Sequence, residues 1–207
     1  MPDHSETPLP GHATVSYGPK TALLVVDVQN DFADPGGSLS VRGGQEVVRA
    51  VNDEIRAAQA AGALVVYTQD WHPPETPHFA AQGGPWPVHC VGGTWGAALH
   101  PDLIVAGPSI HKGTGGEDGY SGFTMRHPID GDVRGTGLAE LLFEYEIIDV
   151  VIVGLATDYC VRETAFDALR LGFGVTVLRR AVAAVDVAPG DGDRALADVA
   201  AAGATVL

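Results

Sequence analysis

Apolar runs of strand length recur along the chain at Thr21 to Val26, Ala63 to Thr68, Leu103 to His111, Asp149 to Leu155 and Gly174 to Leu178. Within these runs the apolar positions are nearly continuous instead of alternating, as in strands covered on both faces of a parallel sheet. The stretches between them space their apolar residues three and four apart, which predicts helices. Gln45 to Ala61 sets Val48, Val51, Ile55 and Ala58 on one stripe and stops before Gly62, a residue suited to the position just past a helix end. Gly137 to Glu146 carries Leu138, Leu141, Leu142 and Tyr145, and Cys160 to Leu171 carries Val161, Ala165, Ala168 and Leu169. Arg194 to Ala202 repeats the pattern before a short last strand near Thr205. The alternation predicts a single-domain α/β fold, a doubly wound and mainly parallel sheet flanked by helices, with its sites outside the carboxyl ends of the strands. Trp71 to Asp102 breaks the rhythm: these 32 residues are rich in Gly, Pro, His and Trp and have no clear period. Loops of that length in compact domains usually carry function.

Composition narrows the choice. A chain of 207 residues with 45% hydrophobic content can bury one full core, and no charge block or linker divides it, so one domain over residues 20–207 is expected behind a loose tail, residues 1–19. Twelve Lys and Arg against 26 Asp and Glu leave a net charge of −14 with the basic residues scattered, which argues against nucleic-acid and anionic-membrane partners. The tail lacks the basic start and apolar stretch of a secretory signal, and no run of about 18 apolar residues occurs, so a cytoplasmic location is expected. Acidity says nothing of self-association, and a homo-oligomer stays open. Cys90 and Cys160, without a CxxC pair, are too few for a disulfide framework or a thiolate zinc site. The phosphate-cradling GxxxxGK[ST], HExxH and GxSxG are absent, and the Gly-rich segment at 113–118 fails the last glycine of GxGxxG.

Four ligand-type residues fall at the start of the long loop and inside it. Asp70 and His72 are two apart at a strand end, so both side chains point the same way, and His78 and His89 follow. One carboxylate with imidazoles suits one divalent ion, zinc, iron or manganese. Four protein ligands leave an octahedral ion two open positions, whereas a tetrahedral zinc would be closed and structural. A lone loop histidine is ordinarily a solvated surface residue, the expectation for His4, His12, His100 and His127, while His111 fits a packed position at the sheet's rim.

Cys160 follows a buried strand and the turn Ala156 to Tyr159, and is expected to open a helix. The positive end of a helix lowers a thiol's pKa and makes the thiolate nucleophilic. The backbone N–H groups of Ala156 and Cys160 are candidates for an oxyanion hole. The plainer alternative is a small apolar residue packed under a helix. Cys90 lacks a predicted helix start and reads as structural or as support for its neighbour His89. Asp27 ends the first apolar run and Lys112 the third. Such charges either cap a solvated rim or face the crevice, and Asp27, Asp70, Lys112 and Cys160 each sit at the carboxyl end of a different strand.

These residues lie in segments that resemble the nicotinamidase/pyrazinamidase family within the isochorismatase-like cysteine hydrolases: VVDVQNDF with GGSL, DWHPPETPHF, WPVHC, HKG followed by YSGF, and GLATDYCVRETAFDA. The resemblance runs from about Thr21 to Arg180. It implies Asp27, Lys112 and Cys160 as a catalytic triad, and Asp70, His72, His78 and His89 as ligands of a divalent ion. A substrate wall of Phe32, Trp86, Tyr120 and Tyr159 follows from it, as does a cis peptide joining Leu155 to Ala156. The expected substrate is a small aromatic amide, nicotinamide and also pyrazinamide, hydrolysed through a thioester. Two departures bear on pocket shape: some relatives have His where Tyr159 stands, and the stretch between Lys112 and Tyr120 differs. Two rival readings are another isochorismatase-like amide hydrolase, which would not need the Asp70, His72, His78 and His89 set, and a metal-stabilised binding protein without catalysis, which would not need Asp27 and Lys112.

Overall fold

The computed structural model describes residues 15–207; the first fourteen residues of the expected tail, with His4 and His12, lie outside the described residues. Six strands form the central sheet: β1 (Thr21–Val26), β2 (Leu64–Asp70), β3 (Ser109–Lys112), β6 (Asp149–Leu155), β7 (Gly174–Ala183) and β8 (Thr205–Val206). Their order is β3-β2-β1-β6-β7-β8 and every neighbouring pair is parallel. The chain winds outward from β1 to β3, then returns to lay β6 on the other side of β1. The crevice at the carboxyl ends of β1 and β6 is therefore the topological switch point, where such sheets bind ligands. The doubly wound fold expected from the apolar pattern is the one present. A two-stranded antiparallel hairpin, β4 (Thr124–Arg126) with β5 (Val133–Gly135), stands apart from the sheet.

The near-continuous apolar runs have their cause in this layering. Leu23 and Val25 of β1 point into a core with α1 (Asn30–Ala33) and α2 (Gly44–Ala60), while Ala22, Leu24 and Val26 point into a second core on the opposite face. That second core is closed by α3 (Leu138–Glu144), α4 (Arg162–Arg170) and α5 (Asp191–Ala201). The α2 stripe Val48, Val51, Ile55 and Ala58 is buried, and a fully buried Ile such as Ile55 contributes about 1.5–3 kcal/mol relative to exposure. Among the described residues no helix is long and apolar enough to cross a membrane. Val15 and Tyr17, inside the expected tail, pack on the α2 side, and the Tyr17 hydroxyl donates to Glu54 at 2.8 Å.

Several boundaries differ from the sequence expectation. The run Leu103 to His111 pairs with the sheet only over its end, Ser109–Lys112. Ahead of it, Tyr67 and Asn52 take up the backbone of Ile104 and Ala106 through side-chain hydrogen bonds, and a Cβ on Gly107 would fall 1.9 Å from the Val65 carbonyl oxygen. Leu103 to Pro108 therefore packs across the edge of β2 as irregular chain. Tyr145, placed on the α3 stripe by its spacing, is 54% exposed because the helix ends before it. β7 runs five residues beyond Leu178, to Ala183, and α5 begins at Asp191, ahead of Arg194.

Candidate active site and metal centre

The switch point is built from main-chain ladders. β1 ends at Val26, and Asp27 turns the chain in the left-handed region, φ 48°, donating its N–H to Thr68 O at 3.2 Å. Thr68, two residues before Asp70 and so on the same face of β2, donates its hydroxyl to Asp27 Oδ1 at 2.6 Å. Gln29 fixes the end of β2 with both ends of its amide, donating to Asp70 O at 2.7 Å and accepting the Asp70 N–H at 2.8 Å. Register sets Asp70 beside Lys112 of β3.

Lys112 is completely buried, and its ammonium joins the four strand ends. It lies 2.7 Å from Asp27 Oδ2 as an ion pair, donates to Asp70 Oδ1 and to the Gly119 carbonyl, and stands 3.6 Å from Cys160 Sγ. Burial works against this charge, but Asp27 and Asp70 outweigh it and hold the Lys112 pKa well above its usual value. Asp27 is pushed up to about 6, chiefly by burial, with Lys112 opposing. For Asp70, burial raises the pKa, yet Lys112, His72 and His89 together hold it below the usual carboxylate range.

Cys160 departs from the expected setting. After β6 and the cis Leu155–Ala156 peptide, residues Thr157–Val161 form a π-helical turn, and α4 starts only at Arg162. The sulfur thus sits inside the turn, buried, within 4.8 Å of carboxylate oxygens of Asp27 and Asp70. Burial pushes its thiol pKa well up, Lys112 pulls it down, and the two carboxylates raise it further, so the lowered pKa expected from the helix end is not found. One ammonium against two carboxylates leaves a net negative surrounding, which disfavours a resting thiolate.

The long loop brings three imidazoles together next to this cluster. Ring nitrogens of His72, His78 and His89 lie within 4.8 Å of one another, all buried. Asp70 Oδ2, the oxygen turned away from Lys112, is 3.8 Å from His72 Nε2 and 3.9 Å from His89 Nε2. His89 Nδ1 donates to the Pro87 carbonyl at 2.7 Å, and His78 Nδ1 pairs with Asp118 Oδ1 at 2.6 Å, which turns Nε2 of each ring into the free nitrogen. Among the described residues neither ring nitrogen of His72 has a hydrogen-bond partner, although both are buried. One orphaned nitrogen of His72 beside two Nε2 lone pairs and a carboxylate oxygen fits a cation. His89 is held protonation-poor, its pKa down at about 4, mainly by burial and partly by the neighbouring imidazoles. Gly113 is required at its place: it adopts φ 75°, and a Cβ there would fall 2.6 Å from the His72 ring.

Above the cluster opens a pocket of about 420 Å³, mouth included, lined by Phe32, Trp86, Tyr120 and Tyr159 together with Asp70, His78, His89, Ala156 and Cys160. All four residues of the expected wall border it. Trp86 Nε1 donates to the Tyr120 hydroxyl at 2.8 Å, and Trp86 meets Tyr159 edge to face with ring centroids 4.9 Å apart. Sequence reasoning missed Leu39, Val41, Gly119 and Val185 on the same wall, and also Thr68 and Asp118, which hold Asp27 and His78. Thr68 was discoverable from its position two residues before Asp70; the others sit in irregular chain and give no spacing signal. Among the remaining histidines, His100 is buried where a surface residue was expected, with Nδ1 accepting the Asp102 N–H, and His111 is exposed but stacked on Trp71 at 4.2 Å. Cys90 is buried and acts through its backbone, donating N–H to Asp31 and accepting from His72 N–H at 3.0 Å.

Residues 21–207 match the isochorismatase domain. The nicotinamidase of Escherichia coli is 38% identical over 206 residues, covering 91% of this chain and 94% of that protein. The pyrazinamidase of Pyrococcus horikoshii, solved in complex with zinc, superposes with a TM-score of 0.82 at 43% identity, over 91% of this chain and 99% of that one. PnC1 from L. infantum, solved in complex with nicotinate, gives a TM-score of 0.84 at 37% identity, over 93% and 95% of the two chains. The chain belongs to the isochorismatase domain family. Within that family it is a hydrolase of the nicotinamidase group.

Proposed function

We propose that this protein hydrolyses nicotinamide, and pyrazinamide by the same route, to the carboxylate and ammonia through a thioester on Cys160. The observation that carries the reading is the fully buried Lys112 ammonium, shared by Asp27, Asp70 and Cys160 at the floor of an aromatic pocket. Four charged or nucleophilic groups from four strand ends are costly to bury together without a task. Asp70, His72, His78 and His89 would hold one divalent ion, zinc, iron or manganese, and its bound form supplies a Lewis acid for an aromatic ring nitrogen.

The chain's own residues account for the rest. Phe32, Trp86, Tyr120 and Tyr159 enclose a planar ring and set its carboxamide over the sulfur, which lowers the entropic part of the barrier. Because the Cys160 thiol rests protonated, its proton passes to Asp27 as the carbon–sulfur bond forms. Lys112 at 3.6 Å offsets the charge growing on sulfur and holds Asp27 in place. Backbone N–H groups of Ala156 and Cys160 receive the oxyanion, a donor of this kind being worth about 2.7–4 kcal/mol. Asp27 returns the proton to the amide nitrogen, the C–N bond breaks and ammonia leaves. Water then attacks the thioester, giving one proton to Asp27, which passes it to the departing sulfur, and nicotinate is released.

The test is ammonia and nicotinate release from nicotinamide by the purified protein, before and after chelation and after restoring zinc, iron or manganese. Equimolar products that vanish on chelation and return with metal are expected. No ammonia from metal-loaded protein overturns the reading, and activity indifferent to chelation overturns its metal part.

A further inference from the structure

Of the three clustered imidazoles, His78 alone is aimed by a side chain from a different loop. His72 lies two residues past the end of β2, where its N–H donates to Cys90 O at 3.0 Å, and His89 is turned by the carbonyl of Pro87, two residues away. His78 lies in a turn six residues past His72, with no ladder of its own. Its ring is met by Asp118, 40 positions on, whose Oδ1 lies 2.6 Å from Nδ1. The Asp118 main chain is fixed in turn: its N–H donates to Arg126 O at 2.7 Å and its carbonyl accepts from Arg126 N–H at 3.0 Å, pinning the loop to β4. Thr76 ties the two loops a second time, donating its hydroxyl to Gly116 O at 2.8 Å and accepting the His78 N–H at 3.2 Å.

We propose that Asp118 is a positioning residue for the metal centre, one that makes His78 a ligand instead of a bystander. The inference rests on the metal reading given above. An ionised carboxylate only accepts, so the contact places the imidazole proton on Nδ1 and leaves the Nε2 lone pair facing His72 and His89. The other tautomer would set a lone pair against the carboxylate, and the ring would turn away. The next two residues reach other parts of the site, Gly119 O accepting from Lys112 and Tyr120 forming pocket wall. Asp118 thus ties the aim of a metal ligand to the same short stretch of chain that steadies the catalytic ammonium.

The test measures metal affinity directly, by titrating zinc against a chromophoric chelator and by the visible spectrum of the cobalt(II) form. Asp118→Ala is expected to weaken zinc binding about 10- to 100-fold and to change the cobalt spectrum, and Asp118→Asn, which keeps an acceptor without the charge, to fall between it and wild type. In a His78→Asn background, where the ring is gone, Asp118→Ala should alter affinity by less than about twofold. The proposal is overturned if wild type binds zinc and Asp118→Ala binds it equally with the same cobalt spectrum. It is also overturned if the full loss persists without the His78 ring, since Asp118 would then act through loop structure alone. Wild-type protein that binds neither ion would remove the metal reading itself, a result distinguishable from both.

Discussion

Asp27, Asp70, Lys112 and Cys160 stand at or just past the ends of β1, β2, β3 and β6, whereas His78, His89, Trp86 and Tyr120 hang on the irregular chain between β2 and β3 and between β3 and β4. In the first group, Asp27, Asp70 and Lys112 are placed by the parallel ladders and Cys160 by the π-helical turn after β6, and all four are completely or almost completely buried. Each member of the second depends on one or a few ties: His78 on Asp118, His89 on Pro87 O, Trp86 on Tyr120. The proton transfer proposed between sulfur and carboxylate would tolerate little misplacement, which suits groups held on rigid elements, while the proposed recognition of a flat ring can be left to loops. Substitutions of Asp27, Lys112 and Cys160 should therefore act on turnover, those on the loops on capture of substrate and metal, and those of Asp70, which faces both Lys112 and the imidazoles, on both.

Cys160→Ala probes the strand edge with the largest expected effect. Turnover should fall by at least about 10⁴, close to 5.5 kcal/mol of barrier, with the near-ultraviolet circular dichroism unchanged. A loss of only about tenfold would move the nucleophile elsewhere and dissolve the contrast. Asp27 comes next. A base must be ionised to accept the sulfur's proton, and burial pushes Asp27 up to about 6, so kcat/KM should fall as pH drops through that value. Asp27→Asn should lower kcat/KM by about 10²- to 10⁴-fold and remove this limb of the profile. An unchanged acid limb in the variant would assign the base to another group.

How much of this was readable from the sequence follows the same division. Strand ends announce themselves: a buried run such as Thr21 to Val26 followed by a charge fixes both the element and the crevice-facing residue, because strand period and topology leave few alternatives. That is why Asp27, Asp70, Lys112 and Cys160 could be picked out and why they meet. The setting of Cys160 was not readable, since a π-helical turn and a helix start look alike in sequence. Burial sets the upward direction of its thiol pKa, and two carboxylates brought from 90 and 133 residues away add to it. Asp118 and Val185 gave no period or motif to notice, and their roles arise from loop closure alone. Leu103 to His111 misled because apolar content does not reveal that Asn52 and Tyr67 capture the backbone before it can join the sheet.

Tyr120→Phe tests the loop side, where the smallest effect is expected. The ring that borders the pocket remains, and only the oxygen that accepts from Trp86 Nε1 is lost. Trp86 is half-buried, so water can reach its N–H in place of the phenol, and the cost stays near the low end of about 1–3 kcal/mol for an orphaned donor. KM for nicotinamide should rise about three- to tenfold while kcat stays within about twofold, because the loosened indole binds the ring less well without disturbing the sulfur below. Burial pushes the Tyr120 phenol up to about 12, so it keeps its proton across the working range and the KM ratio should not vary between pH 6 and 9, about the span of an assay. If kcat instead falls as far as KM rises, the aromatic wall acts in the transition state as well as in binding. Strand edge and loops would then form a single catalytic unit.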